Sequence, residues 1–315
     1  MRRQDNAMPR TPADQYVTKV RKPDDIDRFW DDVLARTAQI PLEPEVVYDP
    51  LRSTAHIDVY EVFFTSLDYV RIAGWYAVPR QREGSLPGLI QVPGYNMEPP
   101  VPKNWAARGY AAFSVAPRGK LRSNRQFNPG YPGLLTYGMV DRNTYSYRGF
   151  YMDACRAVDF LLGRDEVNGD RIGVTGHSQG GGLTVSTAAL RPEIKAAAAG
   201  APYLCGYMDS IELTDAYPYQ EIADYLRMYP DSREQVENTL AYFDGINLAH
   251  RITCPIIVSV GLQDSTCPPE TGFAMFNAIA SEDKKMYAYD GHGHDANNHE
   301  HAAVVDAFMA RHLKP

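Results

Sequence analysis

The sequence predicts an α/β protein: a mostly parallel, doubly wound sheet with an N-terminal antiparallel hairpin and a helical cap insertion. Three observations lead there. Short apolar runs alternate with helical patterns over most of the 315 residues, the mark of crossovers between parallel strands. One such run, Ile172 to Val174, passes through Gly176-His177-Ser178-Gln179-Gly180 straight into a helical pattern ending near Leu190. Two early β-type runs are separated only by Ser66 to Tyr69, too few residues for anything but an antiparallel connection.

Residues 1–22 are polar and read as an N-terminal arm; 23–315 read as one domain. Met1 to Arg10 carries positive charge without an apolar core, so it does not read as a signal peptide. Pro23-Asp24-Asp25 opens a helix with an acidic first turn. Ile26, Phe29, Trp30, Val33 and Leu34 make its apolar stripe, and Pro41 to Pro50 reads as a connector. His56–Thr65 and Val70–Val78 form the hairpin. Then come a strand at Gly88–Val92, a helix at Lys103–Arg108 and a strand at Tyr110–Val115. A helix at Arg148–Arg164 precedes the Ser178 strand. Further strands fall at Lys195–Gly200, Pro255–Val260 and Lys285–Tyr289, and a last helix at Asn298–His312. Two segments break the rhythm. Leu121–Tyr147 is a long loop rich in Gly, Pro, Asn and Tyr, of a length often tied to function. Residues 211–244 carry two helical patterns, Tyr219–Met228 and Ser232–Phe243, and read as the cap.

Composition narrows the function. Hydrophobic residues make up 44% of the chain, enough for a large core, and the net charge is −7. A nucleic-acid or anionic-membrane partner is therefore not expected, and no run of about 18 apolar residues is present to span a bilayer. The four cysteines fit no CxxC pattern and read as buried free thiols in a cytoplasmic protein.

Gly176 to Gly180 fits G-x-S-x-G in the strand–turn–helix context that pattern requires. The turn lifts Ser178 above the sheet and aims the Gln179 amide at the place where an oxyanion forms. A serine hydroxyl needs a base, and the base an orienting acid, each following a later strand. Asp264 stands just past the Pro255–Val260 strand, and His292 just past the last one. His294 is the alternative base and Asp290 the alternative acid. His299 and His301 read as surface at a helix start; His56, His177, His250 and His312 carry no role. The Tyr95 amide, in Pro93-Gly94-Tyr95-Asn96, is the second oxyanion donor. Arg118 reads as a brace for the site loops. No metal and no cofactor are expected.

These residues resemble those of the acetyl xylan esterase and cephalosporin-C deacetylase group, carbohydrate esterase family seven. The resemblance rests on Gly94-Tyr95-Asn96, Arg118-Gly119, Gly176 to Gly180, Tyr242-Phe243-Asp244-Gly245-Ile246-Asn247, and the block from Cys254-Pro255 through Gly261 to Pro269. It covers the chain from about residue 25 onward. It implies an α/β-hydrolase fold, a Ser178–His292–Asp264 triad, oxyanion donors at Tyr95 and Gln179, acetylated sugars or similar small acyl esters as substrates, and a homo-oligomer. The chain has Lys120 where the family pattern has Gln, and Gly293 where it has Glu. The expected activity is a metal-independent serine esterase. The alternatives are a carboxylesterase or a peptidase or amidase of the same fold, and a catalytically silent binding protein.

Overall fold

A computed structural model describes residues 12–314. The arm expected at residues 1–22 lies partly outside these. Within them, Thr18 donates to Asp209 (2.6 Å) and Asn247 donates to the Arg21 carbonyl (3.0 Å), so this part of the arm lies on the helical insertion.

In chain order the elements are α1 (Ile26–Ala38), β1 (Glu45–Tyr48), β2 (Ile57–Thr65), β3 (Arg71–Pro79), β4 (Leu86–Val92), α2 (Lys103–Ala107), β5 (Ala111–Ala116), α3 (Ser146–Leu162), β6 (Val167–His177), α4 (Gln179–Leu190) and β7 (Ile194–Gly200). The insertion follows as α5 (Tyr207–Leu213), α6 (Gln220–Met228), α7 (Arg233–Leu240) and α8 (Gly245–Leu248). The chain then returns to the sheet with β8 (Ile256–Gly261), α9 (Pro269–Ala278), β9 (Lys284–Tyr289) and α10 (Asn298–Leu313).

All nine strands form one sheet in the order β1-β2-β3-β5-β4-β6-β7-β8-β9. From β5 to β9 every pair is parallel; β1, β2 and β3 are antiparallel to their neighbours. The predicted hairpin is β2 and β3, in continuous register from Ile57 opposite Pro79 to Thr65 opposite Arg71. β1 falls inside the Pro41 to Pro50 segment, where the sequence predicts a connector and no strand. It is four residues long, mostly exposed and at the sheet edge, so no burial pattern marks it.

Strand side chains alternate between two cores. Ile90, Phe113, Ala197 and Val258 join the larger one, with α1, α3 and α4. Leu89, Ala112, Ala198 and Ile257 join the other, with Met309 and Leu313 of α10. Helices therefore cover both faces, as a parallel sheet requires. The α1 stripe is buried at Ile26, Phe29, Trp30 and Val33. The Trp30 indole N–H donates to the Tyr242 carbonyl (2.8 Å), which ties α1 to the end of α7. No helix among the described residues is long and apolar enough to cross a membrane.

Candidate active site

The site is assembled at the carboxyl ends of β4, β6, β8 and β9. Ser178, between β6 and α4, has φ 61° and ψ −122°. A non-glycine residue there is strained, and such strain persists only where surroundings hold it. The Ser178 amide donates to the Gly200 carbonyl (2.9 Å), and the Ser178 carbonyl accepts from Gly182 (3.1 Å) and Tyr203 (3.0 Å). Two glycines make the turn sterically possible. A Cβ on Gly176 would sit 2.7 Å from the Gly180 backbone, and one on Gly180 would sit 2.4 Å from the Val92 carbonyl oxygen. This close approach also brings the loop after β4, and Tyr95 with it, beside the start of α4. The first amides of a helix have no intrahelical partner, and the first of α4 is that of Gln179.

The structure brings Ser178 and Asp264 together through His294, not through His292. His294 Nε2 lies 3.0 Å from Ser178 Oγ, and its Nδ1 lies 2.9 Å from Asp264 Oδ2. The other oxygen of Asp264 accepts from the Thr266 and Cys267 amides (2.7 and 2.9 Å). Its carboxylate is buried, with 1% of the side chain exposed. The imidazole of His292 instead meets Asp295 (Nδ1 to Oδ2, 2.8 Å) and is 36% exposed. The cause is backbone anchoring. The Gln263 amide donates to the His292 carbonyl (2.9 Å), and Gly291 turns the chain at φ 78°. That places His292 on the outside of the loop and its neighbour two residues on over Ser178. Asp290, the alternative acid, accepts from the Gln263 side chain (2.8 Å) and does not reach the pair.

Arg118 touches none of these three. Its backbone amide and Nε donate to Asp153 Oδ2 (2.8 and 2.9 Å), and Nη2 donates to Asp153 Oδ1 (2.9 Å) and to the Leu67 carbonyl (2.8 Å). It joins the exit of β5 to α3. Gln179 is fully buried, and its side-chain amide donates to Tyr147 (2.7 Å). The Tyr95 hydroxyl donates to Glu221 of α6 (2.6 Å), whose second oxygen accepts from the Gly133 amide (2.8 Å). Burial raises the Glu221 carboxyl above its ordinary value.

Four neighbours carry no site role in the sequence. His177 donates from Nε2 to the His294 carbonyl (2.7 Å). Burial, then the nearby His294, holds its imidazole below the ordinary value. Glu221 ties the insertion to the Tyr95 loop. Lys120 lies behind that loop. Cys267, 4% exposed, has its thiol pushed well up by burial. Its sulfur, with donor atoms of Asp264 and His294, forms the one histidine, cysteine and carboxylate group among the described residues compact enough for a metal, all within 4.8 Å. Asp264 and His294 in that group already bond each other. His177 adjoins Ser178, and Cys267 closely follows Asp264 in the same loop, so both were findable; Glu221 and Lys120 lie far along the chain from Ser178 and His294.

The model of the family described as acetyl xylan esterase (AXE1) matches residues 4–312. Acetyl esterase Axe7A of Xylanibacter ruminicola is 28% identical over 281 residues, 84% of this chain. The chain spans 62% of that relative's length. Among solved structures, an acetyl xylan esterase from Paenibacillus sp. R4 is 36% identical with a TM-score of 0.90, covering 97% of this chain and 100% of its own. Acetyl xylan esterase 1 from Thermoanaerobacterium sp. JW/SL YS485 is 29% identical with a TM-score of 0.88, covering 98% and 99%.

Proposed function

The chain belongs to the acetyl xylan esterase family, and on that premise we propose that it is a serine esterase that removes acetyl groups from acetylated sugars or similar small esters. One observation carries this reading: a strained Ser178 whose hydroxyl meets His294 Nε2 at 3.0 Å, with the buried Asp264 on the far side of the ring at 2.9 Å.

In this reading Ser178 Oγ attacks the ester carbonyl while His294 takes its proton. Asp264 holds the ring with its proton on Nδ1 and stabilises the imidazolium that forms. The Tyr95 and Gln179 amides bind the tetrahedral oxyanion. His294 then protonates the leaving alkoxide, and an acetyl-enzyme remains. Water, deprotonated by His294, attacks the acetyl carbonyl; acetate leaves and Ser178 recovers its proton. Four free cysteines, three of them buried, fit a reducing compartment and support a cytoplasmic setting. The family resemblance supports a homo-oligomer, which sedimentation would test.

The test pairs a fluorophosphonate probe with Ser178→Ala. The parent enzyme should label, and should hydrolyse p-nitrophenyl acetate faster than an aminoacyl anilide. The variant should neither label nor retain more than about a thousandth of the turnover. Labelling that survives the substitution would sink the assignment.

A further inference from the structure

Lys120 has no part in the chemistry above, yet it is one of the largest fully buried side chains among the described residues, 2% exposed. A buried ammonium is costly unless its surroundings use it. Its Nζ donates to the Gly94 carbonyl oxygen at 2.6 Å and lies 5.2 Å from the centre of the Tyr131 ring. The hydrogen bond goes to the backbone, not to the nearby Glu98, which acts on it through charge.

The Gly94 carbonyl and the Tyr95 amide are the two ends of one planar peptide group, and in a trans peptide they point in opposite directions. A cation bound at the oxygen draws electron density along the group and makes the N–H a stronger donor. The phenol of the same Tyr95 is fastened to Glu221 at 2.6 Å. The pair of residues is therefore held at its carbonyl by one buried side chain and at its aromatic tip by another.

We propose that Lys120 is a positioning residue of the oxyanion hole, its ammonium holding and polarising the Gly94–Tyr95 peptide so that the Tyr95 N–H meets the developing oxyanion. This rests on the assignment of Ser178 and Tyr95 made above. Burial lowers the Lys120 ammonium to about 7, so its charge is lost as the pH rises past neutrality. Among the described residues, the titratable groups that face it are Glu98 on the loop after β4 and Tyr131 on the long loop. Glu221 of α6 stands beyond Tyr95. The neutral amine still donates to Gly94 but polarises the peptide less, so kcat declines on the alkaline side.

The experiment measures kcat and KM on p-nitrophenyl acetate, and the affinity of a boronic acid that forms a tetrahedral adduct with the serine. The proteins are the parent, Lys120→Met, Lys120→Gln and Ser178→Ala. Deleting a whole oxyanion donor costs about 10²–10³ in kcat, so weakening one in Lys120→Met should cost about tenfold. KM should stay within about twofold, and boronate affinity should fall by the same factor as kcat. Lys120→Gln, a neutral donor of similar reach, should recover most of the loss at neutral pH and lack the parent's alkaline decline. Parent-like kcat in Lys120→Met overturns the proposal, as does a loss of kcat with unchanged boronate affinity. If Lys120→Met does not fold, the pH profiles of the parent and Lys120→Gln decide the matter; identical alkaline limbs overturn it. Turnover persisting in Ser178→Ala refutes the site itself. An inactive Ser178→Ala beside a parent-like Lys120→Met refutes only the role of Lys120.

Discussion

The Nε2 of His177 donates to the backbone carbonyl of His294 across 2.7 Å. The residue before Ser178 thus holds the loop that carries His294. Its other nitrogen, Nδ1, is buried without a partner among the described residues, which fits a neutral ring with its proton on Nε2. His177→Phe keeps the bulk and removes the donor. It should lower kcat about tenfold, because displacement of a catalytic group by a fraction of an ångström is enough, while leaving KM within about twofold. Steady-state kinetics with both parameters resolved checks this; a change in KM alone would contradict it.

Two histidines two residues apart should behave in opposite ways. His294→Ala should cost at least about 10³ in kcat, as expected for a member of a unit that acts together. His292→Ala should stay within about threefold, since it removes a half-exposed contact with Asp295 worth little. The paired rates on one acetyl ester decide which ring is the base.

Glu221 should matter for stability more than its distance from the chemistry suggests. Glu221→Ala leaves the Tyr95 hydroxyl and the Gly133 amide without their acceptor, at a cost of about 3 kcal/mol. Burial raises its folded carboxyl above the unfolded value. Its contribution is therefore full below the unfolded value and lost as the pH rises through the folded one. The deficit of the variant should be larger at about pH 5 than at about pH 8. Urea titrations at the two pH values measure it.

Arg118→Lys should not be conservative. An ammonium cannot span both oxygens of the fully buried Asp153 and the Leu67 carbonyl at once, because it lacks the planar fork. A loss of about 2–3 kcal/mol in unfolding free energy is expected. Activity per folded molecule should stay near that of the parent.

Much of this architecture was legible because its signals are local. The β2–β3 hairpin shows as two alternating runs with a short gap. The Ser178 elbow shows as small residues around a serine, between an apolar strand and a helix. β1 was not legible, since an exposed edge strand of four residues has no pattern to lose. His177 was read as inert because its partner is a backbone carbonyl far along the chain.

What the amino-acid sequence determines by itself is the sheet, its order of chemistry-bearing loops, and the serine and carboxylate that those loops carry. Periodicity and turn chemistry act over a few residues and can be read there. Which histidine meets Ser178, and what stands behind Tyr95, only the tertiary structure decided. A loop's path depends on where its backbone is pinned, here the His292 carbonyl on the Gln263 amide. A buried lysine acquires meaning only from the carbonyl that folding places against it.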